Sequence, residues 1–281
     1  MHNISYHAPC KLSDAVSLLL ELEGSRILAG GTDLIAKWKK SHFFDMTLVD
    51  IRNIPELSVI EEVEEGLFIG AGVTMDRVSE DERILSKFPI LAEAASKVGS
   101  VQVRNLATIG GNACNAAPSA DTVLPLMVYG AEAVIAAKEG ERRVALREFF
   151  IGPGKTVLKK GDVLKGFVIP NPPANSFAYF VKHSRRPGMD LATVGVAVLL
   201  VLESEKTADI KVILGAVGPT PIFVKGLDIF FGGKIDPDFV TRIAEHCANA
   251  ASPITDVRGS KTYREAMIKR SVALCFRNHT R

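Results

Sequence analysis

Apolar residues recur at helical spacing in some stretches of this chain and run almost unbroken through short stretches in others. Leu12, Val16, Leu19 and Leu20 fall at i, i+4, i+7 and i+8, one face of a helix. Ser13 is placed to cap its start and Gly24 its end. Arg26 to Ala29 then reads as a short buried strand, Leu34 to Lys40 as a second helix and Thr47 to Ile51 as another strand. Pro55 marks a boundary. Beyond it, Leu57 to Ile60 and Leu67 to Ile69 read as a hairpin turning at Glu65-Gly66, and Leu91 to Val98 as a helix. Asp121 to Tyr129 is a further helix, begun by Ser119 or Asp121. Ala133 to Ala137 and Arg142 to Leu146 form a hairpin around Glu139-Gly140. Val163 to Ile169 is a strand that stops at Pro170. Asn171-Pro172-Pro173 is the clearest linker. After it come strands at Ala178 to His183, Ala192 to Leu202 and Ile210 to Val217, and helices at Phe239 to Ala250 and Thr262 to Phe276. There are no repeats. The order of elements predicts a mixed α+β protein of three lobes.

Two glycine-bearing loops stand out between these elements. Ile27-Leu28-Ala29-Gly30-Gly31-Thr32-Asp33-Leu34 joins a strand to a helix, so its N–H groups and the helix N-terminus converge. Thr108-Ile109-Gly110-Gly111-Asn112 runs on through Pro118-Ser119-Ala120-Asp121. Glycine has no Cβ to keep a ligand away from bare backbone N–H groups. Two such loops on one ligand point to an extended, doubly charged group, and a dinucleotide pyrophosphate fits. A single glycine pair between strand and helix is more often a plain tight turn.

Composition narrows the setting. A chain of 281 residues exceeds one small core and implies two or three compact units. A hydrophobic content of 47% and a charged content of 23% are ordinary for a soluble globular protein. A net charge of +2 argues against a large basic nucleic-acid surface. Cys10, Cys114, Cys247 and Cys275 are scattered with no CxxC pair. They point to a reducing compartment and provide neither a zinc site nor an iron–sulfur cradle. No basic stretch followed by an apolar one opens the chain, so no signal peptide is expected. The longest apolar run, Val194 to Leu202, is too short for a bilayer span of about 20 residues. A cytoplasmic location is expected.

Other motifs fall short of chemistry. The dinucleotide fingerprint G-x-G-x-x-G is absent, and Gly70-Ala71-Gly72 has Met75 where the third glycine belongs. That segment reads as a strand end leading into a helix. Gly152-Pro153-Gly154-Lys155-Thr156 invites comparison with a phosphate loop. However, Phe149 stands where the first glycine is required, and Pro153 removes an N–H. His2, His7, His42, His183, His246 and His279 do not cluster and read as surface or satisfied polar residues. His183-Ser184 is a weak nucleophile motif, Arg185-Arg186-Pro187 a solvated turn, and Glu61 to Glu65 a solvated hairpin. With no evident nucleophile–base pair and no metal site, the demanding chemistry must come from a cofactor.

Taken together, the two loops carry a resemblance. Ala29-Gly30-Gly31-Thr32-Asp33-Leu34 looks like the first flavin-binding signature of the FAD subunit of molybdenum hydroxylases. Val101 to Asn105, with Thr108 to Asn112 and Pro118 to Asp121, looks like the second. Lys182 to Asp190, and Asp256-Val257-Arg258-Gly259-Ser260 with Tyr263-Arg264, fit the same family in its order and spacing. The chain is similar to the medium subunits of the carbon monoxide, xanthine and nicotinate dehydrogenase type.

The resemblance implies an α+β, three-lobed fold. Two N-terminal α/β lobes form a PCMH-type FAD-binding fold, and a C-terminal antiparallel sheet with helices follows. The lobes would be residues 1–55, 56–172 and 173–281. It implies one FAD, with pyrophosphate contacts on Ile27 to Leu34 (Ile27, Leu28, Ala29, Gly30, Gly31, Thr32, Asp33, Leu34) and on Thr108, Ile109, Gly110, Gly111 and Asn112. Asp121 matches an acid near the ribose, Val98 and Leu164 match apolar contacts, and Lys182 matches a lysine near the ring system. Ala107 and Leu106 depart from the family's glycine and polar residue just before the second loop. No cysteine-rich insertion is present, so an additional cluster in the middle lobe is not expected. The implied function is electron transfer within a larger enzyme. Its partners would be a molybdenum-cofactor large subunit and a small subunit with two [2Fe–2S] clusters, in a dimer of heterotrimers. The residues leave open a structural subunit that has lost FAD and a self-contained flavin oxidoreductase. On this reading Gly110→Val or Gly31→Val removes FAD and largely spares the fold where the added branch strikes the pyrophosphate, and costs the fold as well where it forbids a positive φ.

Overall fold

The computed structural model describes residues 4–41, 45–186 and 188–279. His2, His42 and Pro187 lie outside them. The chain opens with β1 (Ile4–His7), α1 (Leu12–Glu21), β2 (Arg26–Leu28), α2 (Leu34–Ser41) and β3 (Met46–Asp50). The three strands form a parallel sheet in the order β1-β3-β2. Alternate residues of β3 face opposite sides. Val49 meets Leu12, Ala15, Val16 and Leu19 of α1, while Met46 and Leu48 meet Leu34, Ile35 and Trp38 of α2. Ser13 does not cap α1. The cap position is Lys11, which makes no side-chain bond, and Ser13 lies inside the first turn with its hydroxyl on Asp14, 3.2 Å. The buried face holds this helix, as is usual for short helices. The chain leaves α1 at Leu22 and reverses at Gly24, where φ is +67°.

A second sheet follows. It is built from β4 (Ile60–Val63), β5 (Gly66–Gly70), β6 (Glu132–Ala137), β7 (Gly140–Ala145) and β10 (Val163–Pro170), in the antiparallel order β4-β5-β10-β6-β7. Short helices connect it: α3 (Met75–Glu80), α4 (Glu82–Lys87), α5 (Pro89–Ser96), α6 (Val101–Arg104), α7 (Ile109–Cys114) and α8 (Val123–Val128). After β7, α9 (Leu146–Phe149) leads into the small hairpin β8 (Phe150–Gly152) and β9 (Lys155–Thr156). Gly152 to Thr156 is therefore a hairpin turning at Gly154, φ +69°, and precedes no helix.

The first strand of the predicted 57–69 hairpin lies further along than expected. Pro55–Leu57 is a 3-10 turn started by the fixed φ of Pro55, and Leu57 is fully buried against α1. The strand then runs Ile60–Val63. The helix expected from Asp121 begins at Val123, with Thr122 at the cap position and no side-chain cap. Neither Ser119 nor Asp121 caps it. The Thr122 hydroxyl instead donates to Asn112 Oδ1 at 2.8 Å.

The last third is a meander of β11 (Ser176–His183), β12 (Val194–Glu203), β13 (Lys206–Gly215) and β14 (Ile222–Phe223), with α10 (Pro237–Asn249) and α11 (Lys261–His279). Val194, Val196, Val198 and Leu200 pack under the two helices. Ala197 and Leu199 face the other way and join the core of the middle sheet and its helices. The apolar run of β12 is thus buried on both faces, which explains why it does not alternate. The Asp256 to Arg264 motif fastens this lobe. The Arg264 guanidinium is 1% exposed and donates to the Thr193 and Ala216 carbonyls, each at 2.8 Å, and to Asp256 at 2.6 Å. Arg258 holds the other Asp256 oxygen at 2.9 Å. These bonds keep the Asp256 carboxyl at about 2, below its ordinary value, despite the opposing effect of desolvation.

Candidate functional site: a cavity between two glycine loops

A cavity of about 610 Å³ opens between the small parallel sheet and the middle lobe. This is the size range of pockets for small molecules and cofactors. One wall is Ile27 with Ala29 to Leu34, between β2 and the first turn of α2. The facing wall is Thr108 with Gly110, Gly111 and Asn112, in and just before α7. Val98 and Leu164 contribute apolar surface, as do Leu158 and Val163. The two predicted loops therefore meet on one space. Leu28 and Ile109 do not line it: Leu28 packs beneath α2 and Ile109 is fully buried in the middle core.

The walls touch directly. Gly30 lies so close to Leu106 that a Cβ would strike the Leu106 carbonyl, and Gly110 lies as close to Ala71, with the Ala71 oxygen 2.7 Å from where a Cβ would sit. Both glycines are dictated by backbone approach. Gly31 sits at φ +70° in the left-handed region. Gly111 differs from these three. A Cβ there would meet just the Thr108 hydroxyl, at 3.0 Å, and Gly111 lines the cavity. Gly110→Val therefore costs the fold, through a collision with Ala71 just after β5 rather than through a positive φ.

The loops also differ in their N–H groups. Bare donors were expected in both. In the second, Ile109 N–H goes to Val73 O, Gly110 N–H to Ala71 O, Gly111 N–H to Thr108 Oγ1 and Asn112 N–H to Thr108 O, at 2.9–3.0 Å. Thr108 caps α7, and the segment after β5 takes the remainder. In the first loop the N–H groups from Gly30 to Leu34 donate to no acceptor among the described residues. They point the partial positive charge of the start of α2 at the cavity.

Asp121 and Lys182 are brought together, away from the cavity wall. Lys182 Nζ lies 2.7 Å from Asp121 Oδ2, with side chains 8% and 9% exposed. The same ammonium donates to the Lys97 carbonyl at 2.8 Å, one residue before Val98. Burial pushes the Asp121 carboxyl up to about 6, and the Lys182 ammonium opposes that rise.

Several lining residues were not read from the sequence: Arg26, Lys37, Trp38, Asp45, Cys114 and Asn115. Lys37 and Trp38 lie one helical turn beyond Asp33 and Leu34, a spacing that could have disclosed them. Burial raises the Cys114 thiol to about 12, so it forms neutral wall. Ser184 Oγ donates to Arg186 O, and His183 Nε2 is bonded to the Tyr263 hydroxyl at 2.7 Å, so the two make no nucleophile–base pair. Among the described residues no three His, Cys, Asp or Glu side chains gather to hold a metal ion, and no helix is long and apolar enough to cross a membrane.

A turn of unused N–H groups at the start of α2, facing a glycine-bearing wall across a cleft, forms a site of the kind that takes the phosphates of a nucleotide. The family follows from comparison. Residues 2–172 match the FAD binding domain in molybdopterin dehydrogenase, and residues 179–278 match the CO dehydrogenase flavoprotein C-terminal domain. The chain belongs to this family of FAD-binding dehydrogenase subunits. It is 33% identical over 269 residues to the xanthine dehydrogenase FAD-binding subunit of Escherichia coli O157:H7, covering 94% of this chain and 92% of that one. It is 32% identical over 267 residues to the carbon monoxide dehydrogenase medium chain of Afipia carboxidovorans, with the same coverages. Among solved structures, a chain of carbon monoxide dehydrogenase from Hydrogenophaga pseudoflava superposes with a TM-score of 0.93 at 29% identity. It covers 98% of this chain and 96% of that one. A chain of quinoline 2-oxidoreductase from Pseudomonas putida 86 matches with the same TM-score at 30% identity and the same coverages.

Proposed function

We propose that this chain holds one FAD non-covalently in the cavity between the glycine loops and serves as the electron-passing subunit of a multi-subunit molybdenum hydroxylase. The observation that carries the placement is the run of unused N–H groups from Gly30 to Leu34 on a cavity wall. A pyrophosphate at that turn would accept from them and meet the positive end of α2. Gly111 leaves room for the cofactor on the facing wall. Val98, Leu158, Val163 and Leu164 exclude water from the flat ring systems. Asp121 and Lys182 fix the segment around Lys97 that carries Val98. In this reading residues 1–55 and 56–172 hold the cofactor together, and 173–281 packs beside them.

Bound FAD takes and gives electrons singly or in pairs, so it can join one-electron iron–sulfur centres to a two-electron acceptor. The residues around the cavity supply binding and orientation. Substrate oxidation belongs to a partner. A large subunit with the molybdenum cofactor and a small subunit with two [2Fe–2S] clusters, in a dimer of heterotrimers in the cytoplasm, complete the proposal. The relatives are named as medium chains or FAD-binding subunits, which supports assembly with other chains. The test is anaerobic mixing of the FAD-loaded isolated chain with purines, nicotinate or aldehydes. The flavin absorbance is expected to stay constant. Bleaching with no partner present would mean that the chain has a catalytic pocket of its own.

A further inference from the structure

We propose that Lys37 neutralises the pyrophosphate of the bound dinucleotide, a role that rests on the placement of FAD in this cavity. Lys37 stands one turn into α2, its N–H bonded to the Asp33 carbonyl at 2.9 Å. Side chains on a helix lean back toward its N-terminus. The Lys37 side chain therefore leans over the turn whose N–H groups, from Gly30 to Leu34, have no acceptor among the described residues. Its Nζ donates to Asn115 Oδ1. Asn115 ends α7, so it belongs to the facing wall, and both residues line the cavity. An ammonium from one wall thus meets a neutral amide oxygen from the other across the space proposed for the pyrophosphate.

Chemistry favours exchanging that amide for phosphate. The ammonium is a charged donor to either acceptor, but an anionic phosphate adds a Coulombic attraction that a neutral amide oxygen lacks. The cavity also needs the cation. Asp33 and Asp45 line it, so Lys37 and Arg26 are the charges that keep it from repelling an anion. Backbone N–H groups orient the pyrophosphate but carry partial charge alone. The loss of Lys37 would leave Arg26 as the remaining cation among the lining residues.

The test uses the full chain stripped of flavin, as wild type, Lys37→Met and Lys37→Arg. Each is titrated with FAD and with riboflavin, which has the ring system and no phosphate, at low and high salt. Trp38, the chain's single tryptophan, lines the same cavity, so its emission reports occupancy. Lys37 is exposed, and an unchanged melting temperature is expected for both variants. Lys37→Met is expected to bind FAD about ten-fold more weakly, with a shallower salt dependence, and riboflavin as well as wild type does. Lys37→Arg should recover most of the loss. Unchanged FAD affinity in Lys37→Met would overturn the assignment. Equal loss of FAD and riboflavin would also overturn it, because the residue would then be acting as cavity wall. A wild-type chain that takes up no FAD would instead refute the cofactor's placement, and this shows before any variant is compared.

Discussion

Gly30→Ala is expected to lower the stability of the protein by about 3 kcal/mol, whereas Gly111→Ala is expected to leave the fold nearly intact and remove most FAD binding. The two positions differ in what surrounds them. A methyl group at Gly30 strikes the Leu106 carbonyl, which is backbone and cannot rotate away. Overpacking of this kind typically costs about 1–3 kcal/mol, and a backbone collision belongs at the upper end. At Gly111 the methyl meets a hydroxyl at 3.0 Å, which can yield by a few tenths of an ångström. The cavity on its open side is where the cofactor is proposed to lie. Urea unfolding and FAD titration of each variant separate the outcomes. Full flavin affinity in Gly111→Ala would exclude the α7 wall from the binding surface.

Lys182→Met is expected to destabilise the protein by about 3 kcal/mol at pH 8 and far less at pH 5. Removing one partner of a buried ion pair leaves the other charge uncompensated, which typically costs about 3–5 kcal/mol. Here the orphan is Asp121, 8% exposed and already raised to about 6 by burial. The sign follows from linkage. A carboxyl whose folded pKa is raised favours the fold below its unfolded value, and that contribution is lost as pH rises through the folded value. Without Lys182 the carboxyl rises further, so at pH 5 it is protonated and the vacancy costs little. At pH 8 the fold must either bury a bare carboxylate or take up a proton. Urea midpoints at the two pH values measure the difference. An equal loss at both would assign Lys182 to packing alone.

Much of this architecture was legible in the sequence because its signals are local. The face of α1, the hairpins at Glu65-Gly66 and Glu139-Gly140, and the two helices that close the C-terminal lobe follow from spacing and turn residues. What escaped depends on partners distant in sequence. Leu57 reads as a strand residue until α1 is placed over it. Asp121 looks like a helix cap because the lysine that binds it comes 61 positions later. Gly110 lines the cavity, but Ala71, which forces a glycine there, lies on another segment of the chain. The N–H groups of Ile109 and Gly110 look bare until Val73 and Ala71, just after β5, take them. The cavity itself was foreseen from two loops. The part of α2 beyond Leu34 was not read as lining, although Lys37 and Trp38 lie one turn past Asp33 and Leu34 on the same face.

The most direct test of the account is flavin content. The full chain, denatured by heat or acid after purification or after incubation with FAD and removal of the excess, is expected to release one FAD per chain, identified by its absorbance and chromatographic mobility. Retention of the yellow chromophore on the denatured polypeptide would contradict non-covalent binding. A colourless protein that also takes up no added FAD would contradict the central claim that these loops hold a flavin dinucleotide.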